Sequence, residues 1–209
     1  MIIIVKLHSF HHYIGRFGGA ELMNNTITEA LRRRRAVRNF QAREVETNKI
    51  EKLLEAATSA PNDRLREPWH FYVVRGEAKE RYTELALAFL QERFPTKPEL
   101  IEASMTAVRN TPLLIVVASD VVPGDAEASE DNEYAVACAI HSMWLAAGEL
   151  GLGMVWRTRG VGLVRDERLH RFVGATEGQK IIATLCVGYP EGEAAPTKRT
   201  PFTEKTTWL

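Results

Sequence analysis

Arginine occupies positions 32, 33, 34, 35 and 38 in the stretch LRRRRAVRNF. A guanidinium is a planar fork that can give paired hydrogen bonds to a phosphate or a carboxylate, so such a cluster reads first as an anion site. Read as a helix, the stretch places Arg34 and Arg38 on one face with Arg35 beside them. Cations held that close repel one another unless an anion sits between them. A solvated basic face paired with nearby glutamates is the alternative. The anion is open at this point: a nucleic acid, a membrane lipid or a small phosphorylated cofactor.

Three further stretches have residue types suited to a site. SAPNDRLREPWHFYVV joins a helix end to a strand through a polar loop. Pro68 keeps Glu67 out of the α conformation, and Trp69 is suited to anchoring the loop in the core. In GLGMVWRTRGV, glycines would let a flat ligand approach the backbone, and Arg157 and Arg159 could meet phosphate or carboxylate; a glycine turn with surface arginines is the alternative. The tail PTKRTPFTEKTTWL carries Lys198 and Arg199. No GxSxG, no Ser/His/Asp order, no paired-carboxylate motif, no P-loop and no GxGxxG after the first strand is present. If the chain is an enzyme, its reactive group comes from a bound organic cofactor.

Lysine plus arginine and aspartate plus glutamate both number 27, giving a formal net charge of zero, which argues against a nucleic-acid coat protein. The two cysteines, Cys138 and Cys186, lie in apolar runs and read as buried inert thiols, without metal spacing. A reducing, cytoplasmic setting fits them, and no metal is expected. The N-terminal apolar run is broken by Lys6 and His8, too short for a membrane span and without signal-peptide layout. Residues 1–22 read as an extension, and residues 23–209 as a single domain.

The elements that must position these stretches follow from periodicity. Thr26 with Glu29 has capping-box spacing and opens a first helix. A second helix begins near Thr47 as cap, with Ile50, Leu53, Leu54 and Ala57 on one stripe, and ends at Pro61. HFYVVR reads as a strand, EAKERYTELALAFLQERF as an amphipathic helix, and another helix runs to about Arg109. TPLLIVVASD reads as a strand buried on both faces, and residues 120–130 as an acidic loop. NEYAVACAIHSMWLAAGELG is a long helix apolar nearly all round, to be covered within the fold or by a partner chain. GMVWR, a short helix over VRDERLHRFVG and a buried strand KIIATLCVGYP complete an α/β or α+β layered domain with a polar tail.

Taken in order, RRRAVRNF, SAPNDRLREPWHF, LGLGMVWRTRG and FTEKTTWL resemble the FMN-dependent nitroreductase family over about Thr26 to Leu209, closest to its compact bacterial NAD(P)H nitroreductase branch. The resemblance implies a three-layer α+β fold with a central mixed, mainly antiparallel sheet flanked by helices. It implies a homodimer with FMN at the subunit interface and the C-terminal arm exchanged. By motif position, Arg34, Arg35 and Arg38 would contact the FMN phosphate and ribityl chain. Ala36 stands where relatives usually have serine, so that contact leans on backbone and arginine. Ser59 and Asp63 would meet the flavin from the proline loop, of the same or the partner subunit. Glu67 stands where relatives often have glutamine, and its charge would need Arg64 or Arg66 as an offset. Trp156, Arg157 and Thr158 would pass the isoalloxazine ring, with a backbone N–H toward N5, and Arg199 with Lys198 would add phosphate charge. Ala146 to Gly151 lies where nicotinamide contacts are inferred in relatives. The implied reaction is ping-pong: hydride passes from NADH or NADPH to FMN N5, then to a nitroaromatic, quinone or activated alkene, with no catalytic side chain required. Other flavin chemistry on the same fold, such as dehalogenation or heterocycle oxidation, is one alternative. Non-catalytic anion binding through Arg32 to Arg38 is another. No membrane or nucleic-acid partner is implied.

Overall fold

The computed structural model describes residues 27–193, 195 and 197–209. The expected extension over residues 1–22 and the Thr26 cap lie outside them. The first helix, α1 (Ile27–Arg33), ends at Arg33, and the chain then runs as non-helical backbone through Arg38. Arg34 and Arg38 therefore do not share a helix face. Ala36 instead bridges Met154 in parallel, and the Val37 N–H donates to the Met154 carbonyl at 3.1 Å.

The sheet is built on β2 (Leu113–Asp120), whose continuous apolar run is buried on both faces up to its last residue, as expected of a central strand. It pairs antiparallel with β1 (Trp69–Val74) on one side and β4 (Gln179–Gly188) on the other, and β4 pairs antiparallel with β3 (Gly153–Arg157). The order is β1-β2-β4-β3. Among the described residues every paired strand is antiparallel, and the parallel component of the expected mixed sheet is the Ala36–Met154 bridge alone.

Alternation along the strands sorts the core into two halves. Leu113, Ile115, Val117, Leu185 and Met154 pack under α2 (Thr47–Thr58) and α5 (Ala126–Glu149). Leu114, Val116, Val155 and Cys186 pack under α3 (Glu77–Arg93), α4 (Pro98–Arg109) and α6 (Glu167–Val173). The result is helix layer, sheet, helix layer, the α+β architecture expected. Glu46, not Thr47, stands at the N-cap of α2; the Thr47 hydroxyl accepts a hydrogen bond from Arg75.

Helix α5 starts earlier than its apolar run suggests, because the Asp125 carboxylate caps the Ala128 N–H at 2.9 Å. Residues 126–130 of the expected acidic loop are thus its first turns, and the loop is confined to residues 121–125. It ends where Gly151 takes a left-handed φ of 71° and the Leu152 N–H reaches back to the Ala147 carbonyl. Asn132, Val136, Ala139, Ile140, Met143 and Ala147 are buried at helical spacing, whereas Tyr134, Cys138 and His141 are exposed. One face of α5 is therefore open in the single chain. Cys138 is exposed, contrary to the reading of both thiols as buried; an apolar neighbourhood in sequence does not say which face of a helix the fold covers.

Candidate functional site

The arginine segment is held by three contacts from distant parts of the chain. The Trp144 indole N–H, on α5, donates to the Arg35 carbonyl at 3.1 Å. The Arg34 guanidinium lies over the Trp144 ring, 4.2 Å from its centroid. The segment crosses β3 at Gly153, where a Cβ would come within 2.6 Å of the Val37 Cβ. The glycine expected to admit a flat ligand is thus occupied by the chain itself. Beyond the crossing, the Gln41 N–H bonds the Tyr189 carbonyl and Phe40 bridges Pro190, which fastens the segment to the end of β4.

Beside this segment lies a cleft of about 460 Å³ lined by Thr28, Leu31, Arg32, Arg35, Thr197 and Arg199. Arg35 donates to the carbonyls of Arg32, Arg34 and Ala195, tying α1 to the C-terminal tail and leaving its Nη2 donors for another acceptor. Burial, then Arg199, then Arg35 lower the pKa of Arg34, so its charge is disfavoured where it sits. Arg33 differs, being paired with Glu29 at 2.5 Å. Of the residues expected to bind phosphate, the fold therefore brings Arg34, Arg35 and Arg199 near one another. Arg38 is exposed, its one described bond running to the Ala36 carbonyl at 3.4 Å. Arg32, named with the cluster but not among the expected FMN contacts, joins the site, as do Thr28, Thr197 and Trp144, which were not singled out. Arg32 was legible as part of the cluster, whereas Trp144 is 109 residues from the carbonyl it holds and has no local signal.

Ser59 and Asp63 lie elsewhere. The Ser59 hydroxyl donates back to the Glu55 carbonyl at the end of α2, and Asp63 opens a short 3-10 turn over Asp63–Leu65. In this loop Arg64, Leu65 and Glu67 all have positive φ, at 52°, 53° and 47°, a costly conformation for side-chain-bearing residues. It is held by the Glu67 N–H on Asn62 at 2.9 Å, by Arg66 on Asp63 at 2.9 Å, and by Arg66 on Asn132 of α5 at 3.4 Å. Buried Asn132 also donates to the Asp120 carbonyl at 3.0 Å, and buried Trp69 anchors the loop as expected. Arg64 and Arg66 thus offset Asp63 rather than Glu67. Asn132 and Trp144 are separated by about 18 Å along α5, so one chain does not bring loop and arginines together.

Strand β3 divides the last group. Trp156 faces the α2–α5 layer, and its Nε1 is shielded from solvent without an acceptor among the described residues. Arg157 points to the opposite face, against Gly162 and Cys186, and its Nε is likewise shielded and unbonded. Thr158 is exposed just beyond. Burial pushes the Cys186 thiol up, which keeps it a neutral, unreactive group. A larger cavity of about 780 Å³ at the start of α5 contains none of the expected site residues, and its Lys180 is paired with Glu133 at 2.5 Å. Among the described residues no cluster of His, Cys, Asp and Glu could hold a metal ion, and no helix is long and apolar enough to cross a membrane.

Comparison with known proteins places the chain. A model of the nitroreductase family matches residues 31–189. YfhC of Bacillus subtilis, provisionally named an NAD(P)H nitroreductase, is 29% identical over 192 residues, covering 88% of this chain and 94% of that protein. The crystal structure of a nitroreductase-like family protein from Bacillus cereus superposes with a TM-score of 0.79 at 29% identity, covering 91% of this chain and 99% of its own. A Bacteroides fragilis nitroreductase with bound FMN shares the fold, with a TM-score of 0.67 at 22% identity over 89% of this chain and 100% of its own. The family match spans the arginine segment, the strained loop, α5 and all four strands, and the chain belongs to the nitroreductase family.

Proposed function

We propose that the protein is an FMN-dependent oxidoreductase. It would take reducing equivalents from NADH or NADPH and deliver them to a small organic oxidant such as a nitroaromatic, a quinone or an activated alkene. The observation that carries this reading is the cleft lined by Arg32, Arg35 and Arg199, beside an Arg34 whose charge is disfavoured first by burial and then by Arg199 and Arg35. A phosphate monoester brings close to two negative charges and three acceptor oxygens. The cleft offers the Arg35 Nη2 donors, the Arg199 guanidinium, which has no acidic partner among the described residues, and the hydroxyls of Thr28 and Thr197. The donor set fits the phosphate end of FMN. The shielded Trp156 Nε1 on the same strand as the Ala36 bridge suits a ligand that brings an acceptor of its own.

FMN, when bound, supplies hydride-accepting and hydride-donating chemistry. This chain's residues supply position and charge. Arg34, Arg35 and Arg199 would hold the phosphate, and the exposed Arg38, bonded to the Ala36 carbonyl, would add positive charge. The Gly153 crossing fixes the segment against β3, and the Val37 N–H is spent on Met154. Arg66 balances Asp63 in the loop, which meets α5 at Asn132, about 18 Å along that helix from Trp144.

That distance favours a homodimer in which the partner's loop completes the site. The surface available for assembly includes exposed apolar groups, Tyr134 on the open face of α5 and Phe202, Trp208 and Leu209 of the tail. Residues 23–209 would form the single FMN-binding domain. The test is a visible spectrum of the purified protein before and after anaerobic NADH or NADPH. A flavin band that bleaches supports the reading. A colourless protein that FMN does not reconstitute refutes it.

A further inference from the structure

Arg34 is supported in an unusual way for a part-buried cation. Arg33 and Arg43 have acidic partners, Glu29 and Glu46, and Arg35 and Arg38 donate to backbone carbonyls. Among the described residues the Arg34 side chain has no carboxylate and no hydrogen-bond acceptor. Its one close partner is the face of Trp144, 4.2 Å away. The difference is chemical. A carboxylate would occupy the in-plane N–H donors of the guanidinium and compete with an incoming anion. An aromatic ring attracts the cation through its face and leaves all five donors, which lie in the guanidinium plane, unspent. The same indole fixes the neighbouring Arg35 through its N–H and the Arg35 carbonyl. Trp144 therefore touches both arginines by different atoms, from a helix packed along its length into the core.

We propose that Trp144 is a positioning residue for phosphate: it keeps Arg34 charged, desolvated and uncommitted beside Arg35 and Arg199, so that the anion finds prepaid donors. This rests on the reading of the arginine cleft as a phosphate site. The class of ligand is a phosphate monoester, and the effect should be confined to its phosphate.

The experiment compares the full chain with Trp144→Leu, which removes ring and N–H, and Trp144→Phe, which keeps a ring face and loses the N–H. Dissociation constants for FMN and for riboflavin, which lacks the phosphate, are measured by flavin fluorescence quenching. Inorganic phosphate is titrated in parallel by calorimetry. The expected result is FMN binding weakened about tenfold or more in Trp144→Leu, with an intermediate value in Trp144→Phe and riboflavin changed less than about twofold. Equal weakening of FMN and riboflavin would show a packing role only and overturn the proposal, as would unchanged FMN binding. If Trp144→Leu does not fold, the Trp144→Phe comparison decides by the same criterion. If the wild type binds neither flavin, the flavin reading fails, and the phosphate titration decides: binding lost in the variants supports the role of Trp144, and binding absent or unchanged overturns it.

Discussion

Replacing Gly153 by alanine tests whether the arginine segment is held by its crossing over β3. The Cβ added at Gly153 would lie 2.6 Å from the Val37 Cβ and 2.7 Å from both Val37 methyl carbons. Ordinary contact begins near 3.4 Å, so the strands must part by roughly 0.8 Å, and no rotamer of Val37 relieves a clash with its own Cβ. Overpacking of this kind costs about 1–3 kcal/mol. The unfolded chain loses entropy on Gly→Ala, returning about 0.4–1 kcal/mol. The net expectation is a loss of up to about 2.6 kcal/mol, or a melting temperature lower by up to about 10 °C for a chain of this length. Because the crossing carries Arg34 and Arg35, FMN affinity should fall with it. Urea denaturation and FMN titration of Gly153→Ala, Val37→Gly and the double variant form a cycle. Val37→Gly removes the opposing Cβ, so the alanine should be tolerated there and the coupling should be favourable by about 1 kcal/mol or more. A stabilising single Gly153→Ala, or additive variants, would refute the reasoning.

Arg34→Ala with Arg38→Ala should strip FMN while leaving circular dichroism and the melting profile near wild type; full flavin occupancy in that variant would remove both from the phosphate site. Asn132→Ala leaves the Arg66 guanidinium and the Asp120 carbonyl short of a partner, and should cost about 1–3 kcal/mol in urea denaturation, with the loop over residues 62–67 the first segment cut by trypsin. The Tyr189 hydroxyl, the Glu46 backbone N–H and Arg43 hold the Glu46 carboxyl down at about 2, below its ordinary 4.5. The native state then binds fewer protons than the unfolded chain, so this stabilisation is present above about pH 4.5 and is lost as pH falls toward 2; acid denaturation of Tyr189→Phe should show a shallower dependence over that window. Cys186 should resist thiol reagents until the protein unfolds, whereas Cys138 should react in the isolated chain; protection of Cys138 at higher protein concentration would support the proposed homodimer through α5.

Local chemistry was enough to read much of this protein from its residues. The unbroken apolar run of β2, the Ile50–Leu53–Ala57 stripe of α2 and the glycine stops of α5 and α6 each act over a few positions, so pattern alone specified them. The arginine cluster pointed to the proposed anion site because like charges crowded into one short stretch repel one another unless an anion sits between them. Tertiary structure alone decided how that cluster is used. Arginine has good helix propensity, yet the chain leaves α1 at Arg33 because the Ala36–Met154 bridge and the Trp144 indole offer the backbone partners that a continued helix would forfeit. The same holds for Gly153, which reads as space for a ligand until Val37 is seen to fill it. It holds for Cys138, whose burial depends on what lies across α5, and for Trp156 and Arg157, adjacent in sequence and separated by the pleat onto opposite faces of the sheet. Residues chosen by neighbours four positions away were legible in sequence; residues chosen by neighbours a hundred positions away were not.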